Sequence, residues 1–297
     1  MKRHLIVTAI LLLGCTAAFA QKIKKIEESR YAVTSGDVVL TVDAARGGKI
    51  MSFSYNGKEV MSQMRFPNSF GGTFWTSPQK EWNWPPVAEF DTKPYEVYDY
   101  GESLVLKSQT SKRLGYSVMK EFSVDRKGAI VVKYTIVNES EEVRKVAPWE
   151  ITRVPSEGVV VIDGPLSGIA PGNGMEGLTF TSSERLSWYV FDVEKVNRKV
   201  NADGRGWLAY ANNGLLLLKK FQDIRPEAAA PGEAEIQVYV NAGKSFTELE
   251  SQGEYTTLKP GQTLSWSVKW VLAPIDCDAA PSKTLAKTVR SLVARYR

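Results

Sequence analysis

An antiparallel all-β sandwich with one C-terminal helix is the fold this sequence predicts, on three observations. Apolar and polar residues alternate with period two over most of the chain. Turn signals divide the alternating segments at short intervals. No βαβ rhythm, P-loop or GxGxxG run breaks the pattern. Strands are expected over residues 37–42, 49–55, 103–108, 117–124, 129–137, 158–162, 178–181, 188–193, 214–221, 235–240, 246–251 and 264–272. Asn56-Gly57, Arg126-Lys127-Gly128, Asn212-Asn213-Gly214 and Lys259-Pro260-Gly261-Gln262 are the turns between them. One helix follows, with Ser282 as its N-cap after Pro281. Leu285, Val289, Leu292, Val293 and Tyr296 share one face; Lys287, Arg290 and Arg295 lie mainly opposite. Such a helix packs its apolar stripe on the outside of the sandwich.

Residues 1–20 read as a secretory signal. Lys2 and Arg3 start it, an apolar run follows from Leu5 to Leu13, and Ala18-Phe19-Ala20 is a small-x-small cleavage site. The run is too short to span a bilayer as a helix. Export to the periplasm or medium is expected, with residues 21–297 as a single β-sandwich domain and no stable membrane insertion. The alternative reads Leu12-Leu13-Gly14-Cys15 as a lipoprotein signal anchored at Cys15.

Cleavage removes His4, the single histidine, and Cys15. The mature chain then has no imidazole. That excludes Ser-His-Asp and Cys-His catalysis, histidine-based zinc sites and the commonest general acid–base residue. One cysteine, Cys277, remains, so no intrachain disulfide forms, and a buried position is expected for it. No metal site or cofactor is expected. The full-length charge of +5 falls to +3 once Lys2 and Arg3 are gone. The basic residues are scattered among acids, without the stripe that nucleic acid requires.

Two stretches, residues 66–93 and 224–232, read as long loops, and long loops in compact domains are often functional. The first holds Trp75, Trp82 and Trp84, three of the eight tryptophans. Indole presents a flat apolar face and one N–H, a match for the C–H face and polar edge of a sugar ring; the plainer role is core packing at one end of the sandwich. Trp149-Glu150, with Arg153, places a carboxylate beside an indole; the plainer role is an ion pair at a sheet edge. Glu248 and Glu250 are two apart and on a strand point to the same face. Their repulsion costs stability unless a cation, a hydrogen-bond network or a ligand offsets it.

Val42 to Ile50 (Val-Asp-Ala-Ala-Arg-Gly-Gly-Lys-Ile) and Gly57-Lys58-Glu59-Val60 resemble the first strands of galactose mutarotase-like (aldose 1-epimerase-like) proteins. Leu249-Glu250-Ser251-Gln252, Leu258-Lys259-Pro260-Gly261-Gln262-Thr263 and the aromatic-rich last strand resemble their closing segments. Gly71-Gly72 with Trp75 and Pro78, and Pro148-Trp149-Glu150, look like the DUF4380-type branch of that superfamily. The resemblance covers essentially the whole mature chain. It implies a β-supersandwich whose concave face holds a carbohydrate, with Glu250 at the position of the catalytic base that deprotonates the anomeric hydroxyl. The family's acid is a histidine; the matching stretch near Trp149 and Glu150 has none.

Three functional readings stay open on the sequence. The first is an exported carbohydrate-binding protein with Trp75, Trp82, Trp84, Trp149, Arg153, Glu248 and Lys219 around the sugar and Glu250 as the key carboxylate. The second is an aldose 1-epimerase-like isomerase with Glu250 as base and Glu150, Lys219 or Tyr255 as acid. It requires Glu150 and Glu250 to face one cavity across a pyranose ring. The third is a structural protein whose tryptophans are all core.

Overall fold

The computed structural model describes residues 22–66, 69–192, 196–241, 243 and 246–297. The expected leader, with His4 and Cys15, lies outside them. Among the described residues the chain forms two large antiparallel sheets, one 12-stranded and one 10-stranded. The middle of the first sheet runs Lys49–Tyr55, Gly72–Ser77, Arg144–Pro155, Phe246–Gln252, Ile236–Asn241, Arg198–Ala202. The middle of the second runs Trp207–Asn212, Leu215–Lys220, Thr263–Pro274, Ile130–Asn138, Tyr116–Val124.

Side-chain parity decides what each sheet buries. In the first sheet Phe53, Phe74, Val154 and Leu249 meet Tyr134, Ile136, Val268 and Trp270 of the second, and these residues form the main apolar core. Phe74 stacks on Tyr134 at 4.3 Å, and Phe53 meets Trp270 edge-on at 5.4 Å. The opposite face of the first sheet therefore holds Thr73, Trp75, Trp149, Arg153, Glu248 and Glu250, with Trp149 opposite Trp75, Arg153 opposite Glu248, and Ile151 opposite both Thr73 and Glu250.

The expected turns form. Asn56 (φ 47°) and Gly57 (φ 76°) take the paired left-handed conformations of a two-residue hairpin, as do Asn213 (φ 47°) and Gly214 (φ 68°). The expected helix spans Lys283–Arg295, and the Ser282 hydroxyl accepts from the Leu285 N–H at 3.2 Å. Its Leu285, Val289 and Val293 pack on Val161, Leu216, Leu218 and Val271, a second core on the outside of the second sheet. Ser282→Ala is expected to cost about 1 kcal/mol, a fall of a few degrees in thermal midpoint; an unchanged midpoint would show that the cap bond contributes nothing.

Three expectations need correcting. Residues 66–93 are not one loop: Gly72–Ser77 is an internal strand buried at every position. With both faces buried, its residues need not alternate, so the period-two signal is absent. The strand expected over 178–181 is displaced, and Thr181–Ser183 pairs instead with Leu186–Val190. Cys277 is half-buried rather than buried, packed at the margin of the helix core. No helix among the described residues is long and apolar enough to cross a membrane.

Candidate functional site

The first sheet's outward face forms the floor of a cavity of about 270 Å³. Gly72–Ser77 contributes Trp75, Arg144–Pro155 contributes Trp149, Phe246–Gln252 contributes Glu248 and Glu250, and Arg198–Ala202 contributes Lys199. Tyr239 and Asn241 extend the floor, and Trp84 stands at the side. These are central strands, hydrogen-bonded on both edges, so the floor groups have no loop freedom.

Glu250 is fully buried at this floor. Its Oε2 accepts from the Trp149 indole N–H at 2.9 Å and from Lys199 Nζ at 3.0 Å. Its Oε1 is buried with no hydrogen-bond partner. Burial pushes the Glu250 carboxyl up to about 7, against the pull of the Lys199 ammonium. Glu248, on the same face, is paired by Arg153 at 2.7 Å. The like-charge cost of two neighbouring carboxylates is thus met by two cations, Arg153 from the adjacent strand and Lys199 from two strands away. One of them, Lys199, also lies over the Trp149 ring at 5.1 Å.

The tryptophans are fixed by their N–H groups. Trp75 donates to Asp91 Oδ1 at 3.0 Å, and Asp91 also holds Thr73 (2.7 Å) and Lys49 (2.6 Å). Burial raises the Asp91 carboxyl, but Lys49 and the hydrogen bonds from Trp75 and Thr73 outweigh it and leave the group below its ordinary range. Gly47 makes this arrangement possible. At φ +67° its bare Cα lies against the Ala88–Asp91 helix, where a Cβ would come within 2.2 Å of the Asp91 carbonyl. With their N–H groups spent inside the protein, Trp75 and Trp149 turn ring surface to the cavity.

Sequence-derived candidates divide cleanly. Trp75, Trp84, Trp149, Glu248 and Glu250 converge on the cavity. Trp82 lies behind it, 5.5 Å from Trp75 and 6.2 Å from Trp149, with its N–H on the Thr76 carbonyl. Arg153 supports Glu248 from beneath. Glu150 and Lys219 point the other way. Glu150 is buried between the sheets, accepting from Tyr134 (2.7 Å), Trp270 (2.8 Å) and Lys219 (2.5 Å). The expected pairing of Glu150 with Glu250 across a ligand is therefore corrected: adjacent to Trp149 on one strand, Glu150 must face away from it. Tyr255 is not among the lining residues either; its ring lies against Lys145 at 4.6 Å.

Lys199, Tyr239 and Asn241 were not singled out from the sequence. A signal existed. Gln237, Tyr239 and Asn241 alternate with Ile236, Val238 and Val240, which marks one polar face on a buried strand. Beside it, Gln252 donates to Gln237 (3.1 Å) and Gln237 to Asn201 (2.7 Å), closing the polar belt.

No protein-family model and no curated protein matches this sequence. The fold does match solved structures. An aldose 1-epimerase candidate from Escherichia coli K12 superposes with a TM-score of 0.60 at 12% identity, over 83% of this chain and 99% of that one. Galactose mutarotase-like proteins from Lactobacillus casei (0.57, 12% identity, 82% and 99%) and Clostridium acetobutylicum (0.55, 11%, 86% and 98%) match similarly. The chain has the galactose mutarotase-like β-sandwich fold. The narrower DUF4380 resemblance has no matching family model behind it.

Proposed function

We propose that this is an exported carbohydrate-binding protein that seats a sugar ring in the cavity above Trp149 and Glu250. One observation carries the reading: the buried, unpartnered Glu250 Oε1 on an indole-lined floor. Such an oxygen is costly to leave unpaired, and a sugar hydroxyl supplies the missing donor while its C–H face covers the tryptophan rings. The fold supports sugar recognition in general terms, and the leader read at residues 1–20 supports export.

The test is a tryptophan-fluorescence titration of the mature protein with glucose, galactose, mannose and xylose, with Glu250→Gln alongside. A saturable change that weakens in the variant is expected. Saturable binding unchanged in Glu250→Gln, or no binding by any sugar, would remove this reading.

A second reading, anomer exchange, is favoured by Lys199. The anomeric hydroxyl and the ring oxygen are bonded to one carbon, so the acid and base serving them must stand side by side. Glu250 and Lys199 do so, 3.0 Å apart. In this reading Glu250 takes the anomeric O–H proton, Lys199 gives a proton to the ring oxygen, and the bond between that oxygen and the anomeric carbon breaks to leave the open-chain aldehyde. Polarimetry of a fresh α-anomer, with wild type against Lys199→Met, decides it; relaxation at the buffer rate in both would leave binding alone.

A further inference from the structure

Seven of the eight tryptophans are at most 6% exposed, whereas Trp84 is 55% exposed and stands at the cavity mouth. A fold that buries every other indole leaves this one in water, where its apolar faces contribute nothing to the core. Its position is defined. Asn83 holds a left-handed turn (φ 53°) with its N–H on the Gln79 carbonyl at 2.8 Å, and proline follows at 85 and 86. The indoles form a ladder from floor to mouth. Trp149 meets Trp75 edge-on at 5.3 Å, and Trp75 meets Trp84 edge-on at 6.1 Å. Exposure rises along it, from 1% to 5% to 55%. Asn173 and the exposed Met175, a polar group and a flexible apolar one, line the same cavity.

A single ring seated on Glu250 occupies the bottom of this ladder and leaves Trp84 uncovered. We infer that the ligand is the end of an oligosaccharide, with its terminal ring on Trp149 and Glu250 and the next ring stacked on Trp84. This rests on the sugar-binding reading and adds the ligand's length to it. A glycan offers the same apolar C–H face on each unit, so a second indole at the mouth recognises the second unit without dedicated hydrogen bonds.

Calorimetric titration of the mature protein tests it, because the readout does not depend on the tryptophan removed. The probes are glucose, galactose, mannose and xylose, then cellobiose, maltose, lactose, mannobiose and xylobiose. At least one disaccharide is expected to bind about tenfold or more tightly than its monosaccharide, from the apolar area Trp84 covers. Trp84→Ala is expected to abolish that advantage, lowering disaccharide affinity about tenfold and monosaccharide affinity by a clearly smaller factor; the side chain is exposed, and far-UV circular dichroism confirms folding. Monosaccharides that bind as well as every disaccharide would overturn the inference alone, as would equal losses for both lengths in Trp84→Ala. Absence of binding by every sugar would overturn the sugar-binding reading with it.

Discussion

Glu150→Ala is expected to destabilise the protein by about 3–5 kcal/mol, the cost of breaking a buried ion pair by removing one partner. The side chain has no exposed surface and accepts from Tyr134, Trp270 and Lys219. Its loss orphans the Tyr134 and Trp270 donors and leaves the Lys219 ammonium, which keeps its hydrogen bond to Thr152 at 2.7 Å, without a counter-charge over the Trp270 ring at 3.5 Å. Burial already lowers the Lys219 amine to about 8 against the opposing pull of Glu150, so the variant sheds part of the cost by deprotonating. Denaturant unfolding measures the loss. The double variant Glu150→Leu/Lys219→Met should recover most of it, because apolar groups of similar volume replace such a pair with little penalty. Sugar affinity of the folded variants should be unchanged. A full-strength fold with lost affinity would place Glu150 at the ligand after all.

The second large effect concerns Glu250. Glu250→Gln is expected to weaken sugar binding about 10–100-fold at pH 8, the range for a hydrogen bond to a charged acceptor. Trp149 and Lys199 both donate to one oxygen position. The amide carbonyl must take that position, which turns the NH₂ group toward the cavity and replaces an acceptor with a donor. The pH dependence follows in sign. The carboxyl titrates near 7, above its ordinary range, because burial disfavours its charge. Affinity carried by the carboxylate is therefore complete only about a unit above pH 7, falls as the pH drops through 7, and falls by about tenfold per unit further down. Glu250→Gln should bind with no such slope between pH 5 and 8. A wild-type affinity that is flat over this range, or that rises on acidification, would show that the neutral acid is the binding form.

The parts of the fold that the sequence announces are those with one wet face. The segments 117–124 and 129–137 and the helix after Ser282 show their periods because most of their outward residues keep contact with water. Gly72–Ser77 and Arg144–Pro155, which carry Trp75 and Trp149, are buried on both faces and lose that signal. The site strands are therefore the hardest to read. Parity still carried information: Trp149 and Glu150 are neighbours on a strand, so one strand cannot offer both to a single cavity. Which of the two faces the ligand depends on which face the second sheet covers, and that is settled by long-range pairing. Lys199 lies in a five-residue strand whose partner, Ile236–Asn241, is more than thirty positions away, so no local pattern connects it to Glu250.

The double-sided pairing of the Arg144–Pro155 strand, with Gly72–Ser77 on one edge and Phe246–Gln252 on the other, also bears on the entropy of recognition. Amide hydrogens of Trp149 to Thr152 should exchange with solvent only through openings as rare as global unfolding. A ligand then gains nothing by ordering the floor and loses nothing to it. What it must immobilise is its own glycosidic torsions and the side chains at the rim. Saturating sugar should accordingly slow exchange in the strand by the full mass-action factor, while the backbone around Trp84, which opens locally, should be slowed by that factor only if the sugar must leave before it opens.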